Sequence, residues 1–410
     1  MILALRSSLG PAGPLRRLAA GTLTSAVGNG AWYTSWALFL TRSVHLTPAQ
    51  VGIGMSLAGL AGVVCTPVLG WLGDRAGARE LFAVQLAAQG AAAASYAFVH
   101  GFGAFIAVTT LAQMASSGSG GPRNALVLSL AADRDRLEVL GRLRAISHVG
   151  WALGAVLGGA VITLDTRPAY LAMVAVNAAS YLIYATLVAT VGRLPAPARP
   201  GAARGLRVIG DRPYVSLAGL MGVLALCWAM LSSGLPLWVA LHTHAPRAIS
   251  AVVVLISCLG IAALQVRVSR RIPDPRRAAR AAGLSGAALA LSCLLIAATS
   301  GLGPWPAVAL ILVAAGLHVT GELLFVAASW GLSVPLMPED APSEYQGAFA
   351  TGEAVALMAA PALMTTLVAG WGTPGWLVLA LIFLLPATAT APVTRWALRT
   401  RPARGPLPGV

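Results

Sequence analysis

Residues 305–332 read WPAVALILVAAGLHVTGELLFVAASWGL, and in that stretch His318 and Glu322 are the only titratable side chains. As an α-helix at 1.5 Å per residue it would reach about 42 Å, more than the ~30 Å of a bilayer's hydrocarbon. A segment this long and apolar has no place on a water-facing surface. Lipid is its solvent, and the backbone must then satisfy its own hydrogen bonds as helix.

The same pattern recurs along the chain, at 18–41, 48–72, 79–99, 103–131, 143–164 and 169–192, then at 214–240, 248–268, 279–299, 305–332, 346–369 and 374–396. These runs are too long and continuous for barrel strands, which would alternate over roughly ten residues. The composition agrees. Of 410 residues, 57% are hydrophobic and 10% charged, against about a quarter charged in a soluble protein. Mean hydropathy is +0.78. The expected fold is an all-α integral membrane protein of about twelve transmembrane helices in two six-helix bundles. Residues 1–192 form the first and 214–410 the second, joined by the proline- and arginine-rich linker 193–213. Arg16 and Arg17 precede a stretch too long for a signal-peptide core, so the first span is read as retained.

Every basic residue apart from histidine is arginine, and the net charge is +15. In a soluble chain this excess would suggest nucleic acid. Here the arginines fall between apolar spans, 24 of the 28 in alternate segments, with Arg42, Arg167 and Arg247 opposite and Arg123 inside the fourth span. Positive loops stay inside. A multi-pass protein of the cytoplasmic membrane with both termini cytoplasmic follows, without a nucleic-acid partner and expected to be a monomer. Cys65, Cys227, Cys258 and Cys293 sit within spans at no pairing or metal spacing and behave as small hydrophobes. No metal-ligand cluster, nucleophile elbow or phosphate loop is apparent, so neither an enzyme nor an ATP-driven pump is expected, and no cofactor.

The loop after the second span reads Gly70-Trp-Leu-Gly73-Asp74-Arg75-Ala-Gly77-Ala-Arg79. It resembles the signature loop of the major facilitator superfamily, at the place where that family carries it. Its glycines allow close helix approach, Asp74 sits at a helix terminus, and the arginines can pair with acids on moving neighbours. The fifth span carries Gly150, Gly154, Gly158 and Gly159 at packing intervals. This resembles the glycine motif of the family's twelve-helix drug:proton antiporters, with Ala155 where those carry proline. An arginine usual early in their fourth span is replaced by Met114, leaving Arg123 as the intramembrane charge for gating or pairing. The resemblance implies a secondary transporter working by alternating access between two rocking bundles.

Few polar groups sit inside the spans. Glu322, one turn after His318, and Glu353 are the carboxyls there. Intramembrane charges face a cavity or a partner. A carboxyl whose environment shifts its charge balance is what proton coupling requires. These three residues are therefore the coupling candidates, and the proton gradient is the expected energy source. A static structural pair, for instance Glu322 with Arg123, is the alternative, and Glu353 could equally serve packing or gating. In the family, spans one, four, seven and ten line the cavity, which implies substrate contact for Asn29, Tyr33, Trp36, Gln113, Ser117 and Trp228. An aromatic, mostly uncharged cavity suits a lipophilic or amphipathic small molecule. Export against protons is the first expectation. A proton-symporting uptake permease is the second, and a non-transporting sensor or scaffold the third. The acidic stretch Glu339-Asp340 to Glu344 is expected to pair with Arg75 or Arg79 when the halves close.

Overall fold

The computed structural model describes residues 13–131, 135–192, 207–247, 249–272 and 274–400. Most of the 193–213 linker, the first twelve residues and the last ten lie outside the described residues. Among those described, the chain is helical with no strand. The N-terminal half holds α1 (Pro14–Leu38), α2 (Pro48–Ala76), α3 (Ala78–Ser95), α4 (Phe102–Ser116), α5 (Gly120–Leu130), α6 (Arg136–Leu164) and α7 (Arg167–Ala189). The C-terminal half holds α8 (Arg212–Ala229), α9 (Leu235–His242), α10 (Ile249–Arg270), α11 (Pro275–Ala297), α12 (Pro304–Leu336), α13 (Pro342–Leu363) and α14 (Thr373–Arg399). Among the described residues, each apolar run read from the sequence is helical over most of its length, the fourth with a break. Ten helical segments among the described residues are long and apolar enough to cross a membrane. The other two runs are the first, diluted by Thr22, Thr24, Ser25 and Asn29, and the fourth, which is broken.

Proline punctuates the starts. Pro48, Pro213 and Pro275 each stand at the beginning of a helix whose N-cap side chain, Thr47, Asp211 or Asp274, accepts a backbone N–H of the first turn. There the missing amide proton costs nothing. π turns at Phe39–Ser43 and Met230–Gly234 follow α1 and α8, the first helix of each half, and a third follows α13. The fourth run, expected as one helix, breaks at Ser117 to Ser119, where Gly118 takes φ +73 and packs over the Thr66 carbonyl. Ser116, Ser117 and Ser119 around two glycines supply little apolar contact to hold an unbroken helix there.

The halves meet at the arginine-rich end. Asn124 of α5 donates to Gln346 of α13 at 3.4 Å, and Arg270 of α10 donates to Glu138 of α6 at 2.6 Å. Gly70, Gly121 and Gly347 let α2 and α5 lie directly on the start of α13: a Cβ on Gly121 would come within 2.7 Å of the Ser343 carbonyl.

Candidate functional site

Glu322 lies on α12, 2% exposed, at the junction of the halves. One carboxylate oxygen accepts from Arg144 of α6 at 2.6 Å and from the Trp228 indole N–H of α8 at 2.9 Å. The other accepts from Ser257 of α10 at 3.3 Å. The Arg144 guanidinium also stands 5.6 Å from the Trp228 ring centre. Four helices from both halves thus converge on one carboxyl. This corrects two expectations. The partner of Glu322 is Arg144, counted from sequence with the loop arginines, and not Arg123. Trp228 is a donor to this carboxyl and lines neither cavity described below. α6 begins at Arg136, seven residues earlier than the apolar run, and so carries Arg144 two turns inside the helix. His318, 2% exposed, points Nε2 toward Glu322 at 3.8 Å. Neither of its ring nitrogens has a hydrogen-bond partner.

A cavity of about 800 Å³ opens beside this centre, between α2, the α4–α5 break and α13. Trp36, Gln113 and Ser117 line it, together with Met55, Met358 and Glu353. Glu353, one of the two intramembrane carboxyls, therefore faces the cavity, whereas Glu322 is sealed behind its partners. Asn29 and Tyr33 are set back. They line a smaller space of about 70 Å³ that shares Trp36 and Gln113 with the large one. Asn29 accepts from the Tyr181 hydroxyl at 2.6 Å, and Tyr33 stacks against Trp151 at 5.2 Å. The main cavity begins near the first turn of α2 and the end of α13, and is blocked beyond Thr66 and Ala350 by the glycine contact described above. It opens at the arginine-poor end.

A second carboxylate joins Glu138 in fastening the closed end. Asp74, at the last turn of α2, accepts from the Ser343 and Glu344 backbone N–H groups, each at 2.7 Å. α13 has no capping side chain of its own, its N-cap being Ala341. Asp74 supplies that cap from the other half of the molecule, where the positive end of the helix dipole favours it.

Residues 18–361 match the family model of the Major Facilitator Superfamily. The chain belongs to that superfamily. No curated protein matches it. Among solved structures, it is similar to a bacterial homologue of the iron transporter ferroportin in an outward-facing state, with 17% identity, a TM-score of 0.75, and 94% of this chain and 99% of that one covered. It is also similar to the human organic anion transporter MFSD10, with 17% identity, a TM-score of 0.64, and 92% and 98% covered. A third is the proton:xylose symporter XylE, with 12% identity, a TM-score of 0.69, and 91% and 94% covered. Likeness at this identity carries the fold alone.

Within this facilitator the loop residues divide their work differently from the sequence expectation. Arg75 stacks on Trp71 at 4.0 Å, and Arg79 pairs with Glu80 at 2.8 Å and donates to the Ala189 carbonyl. Neither reaches the acidic stretch before α13. Asp340 pairs with Arg207 instead, at 2.5 Å, and holds that guanidinium's pKa above its ordinary value. Glu344, 4% exposed, accepts from the Val208 N–H at 2.7 Å. The reason is steric and electrostatic: Asp74 already occupies the amides of that turn, and the acids turn toward the segment entering α8. Gly77 takes φ +94, which a side chain would resist. Gly150, Gly154 and Gly158 lie against the backbone of α1, but Gly159 has nothing within 4 Å and is not a packing glycine.

Asp74→Ala should remove both charged acceptors at the start of α13. Hydrogen exchange of the Ser343 and Glu344 amides is then expected to quicken about tenfold or more, as the loss of a charge-assisted bond implies. Unchanged exchange would show that the cap carries no load.

Proposed function

We propose that this facilitator exports a lipophilic or amphipathic small molecule in exchange for protons across the cytoplasmic membrane, with its arginine-rich face and both termini in the cytoplasm. In that orientation the structure is outward-open. The observation that carries the reading is the Glu322 centre: one carboxyl joins α6 of the first half to α8, α10 and α12 of the second, while the cavity stands open outside. Protonating Glu322 removes the charge that Arg144, Trp228 and Ser257 solvate, and so weakens a tie that exists only while the cytoplasmic side is shut. A ligand shifts a two-state balance only through such differential interactions. Protons arriving from outside therefore favour the inward-open state, and their release to the cytoplasm restores the tie and drives cargo outward. Glu353, at the cavity wall, is placed to receive the incoming proton, and His318 stands beside Glu322 as a second acceptor.

Trp36, Met55 and Met358 on the cavity wall favour a ligand with a substantial apolar body. Solved structures of this fold are named for transport of iron, organic anions and xylose, so the fold by itself selects no cargo. Uptake by proton symport would use the same tie with the opposite cycle order, and the direction of the gradient that drives accumulation separates the two.

The test is flux in proteoliposomes under an imposed pH gradient. Glu322→Gln should keep ligand exchange at equal pH and lose most of the gradient-driven accumulation, by about tenfold or more. Accumulation at the wild-type level in that variant would reject the assignment.

A further inference from the structure

The break between α4 and α5 separates two cavities of opposite character. Gly118 and Gly120 face the large apolar one, whereas Ser119 and Arg123, at the start of α5, face a second cavity of about 260 Å³. Arg144, Ser147 and His148 of α6, Asn29 of α1 and Trp330 of α12 also line this second space. Among the described residues no carboxylate lines it. Arg144 is committed to Glu322 from the far side, yet its Nε, buried, has no partner. The Arg123 guanidinium makes no ion pair or hydrogen bond among the described residues.

Of the two guanidiniums that line this space, Arg144 is paired with Glu322, and Arg123 has no ion-pair partner among the described residues. An unpaired charge within a membrane-spanning bundle is costly, and the groups that carry it usually face a ligand or a path for one. The Arg123 charge and the hydrogen-bond donors beside it, the unpartnered Arg144 Nε–H and the hydroxyls of Ser119 and Ser147, prefer one ligand chemistry, an oxyanion. The neighbouring cavity is mostly apolar, with Trp36, Met55, Val63, Leu357 and Met358 around the single carboxyl of Glu353, and takes the apolar body.

We infer that the cargo is an amphipathic organic anion, its oxyanion held by Arg123 beside Ser119 and Ser147 in the smaller cavity, its apolar part in the larger. This rests on the transport reading above and names the substrate class of the same cavity. It also explains why Arg144 and Arg123 line one space: with Glu322 on the first, the second is the free receptor for the cargo's charge.

The test uses three probes of one shape on the purified full-length protein in lipid nanodiscs: 1-naphthylacetate, its neutral amide, and 1-naphthylmethylammonium. Calorimetric binding should favour the anion over the amide by about tenfold or more. Arg123→Gln should weaken the anion about tenfold or more and leave the amide unchanged, while Arg123→Lys, which keeps the charge, should retain most of the affinity. An anion that binds no tighter than the amide or the cation, including no binding by any probe at millimolar concentration, would overturn the inference. So would Arg123→Gln weakening anion and amide alike. Proteoliposome flux separates the two proposals. Cation flux with no anion preference would remove the anion site and leave transport. Arg123-dependent anion binding without flux of any probe would leave the site and remove transport.

Discussion

Arg144→Gln is expected to destabilise the folded protein more than any other single change at the charge centre, by about 3–5 kcal/mol, the usual cost of stripping one partner from a buried ion pair. The carboxylate it strands is 3% exposed by side chain, whereas Arg144 is 17% exposed and borders a polar cavity. Glu322→Gln should cost less. The guanidinium it leaves behind keeps its place near the Trp228 ring and can draw water through the cavity it lines. The double variant Arg144→Gln, Glu322→Gln should recover most of the loss, because the amide oxygen that replaces the carboxylate can still accept from Trp228 and Ser257 and no net charge remains buried. Unfolding midpoints of the four proteins, read as a double-mutant cycle, give the coupling directly. A double variant as unstable as Arg144→Gln would mean that shape, and not charge, holds this junction together.

That cycle also bears on the mechanism. A tie of several kcal/mol between the halves would lock one state unless something relieves it, and protonation of one member is the relief available inside lipid. If the coupling measured were near zero, protonating Glu322 would have nothing to release, and the proposed exchange would need another trigger. The Asp74 carboxylate engages backbone amides that are free only at a helix start, so it fixes register and closure at that end.

The helical runs were legible because lipid solvation leaves a signal over about twenty or more residues that no local detail can hide. What escaped is local. Arg144 was counted with the loop cations because it stands one residue inside the apolar run that starts at Leu143, but α6 is longer than its apolar part and projects its charged first turns along the interface between the halves. A buried Glu322 demands a cation from another helix, and Arg144, with His148 one turn further along α6, offered one. The break in the fourth span was written in Ser116-Ser117-Gly118-Ser119-Gly120-Gly121-Pro122, a sequence whose small and polar side chains cannot hold a helix by packing alone. Apolar composition masked it. Asp74 was readable as a helix-end residue, but the helix it caps lies 270 residues away in sequence, and only the fold brings the two together. The acids expected to meet Arg75 and Arg79 were displaced from them by that same contact.

The second large effect is steric. Gly154 of α6 faces the Val27 carbonyl and the Gly30 and Ala31 backbone of α1, with the Ala31 nitrogen 2.8 Å from where a Cβ would stand. Gly158 repeats this one turn on, 2.7 Å from both the Ala31 carbonyl and the Thr34 Cβ, and Gly150 one turn earlier, 2.6 Å from the Ala26 Cβ. Backbone cannot rotate away as a side chain can, so even alanine at Gly154 must push two helices apart along three turns. In lipid, where no hydrophobic force pulls helices together, that close approach is itself the source of their association. Gly154→Leu should therefore abolish a monodisperse fold, and Gly154→Ala should lower stability by about 1–3 kcal/mol, the usual range for overpacking. Gly159→Ala is the internal control. With nothing within 4 Å of its Cβ position and a helical backbone around it, it should be neutral or gain up to about 1 kcal/mol from helix propensity. Thermal melts of the three proteins in one detergent decide the matter: equal losses at 154 and 159 would mean that the glycines serve helix flexibility, and that the α1–α6 contact is looser than these distances require.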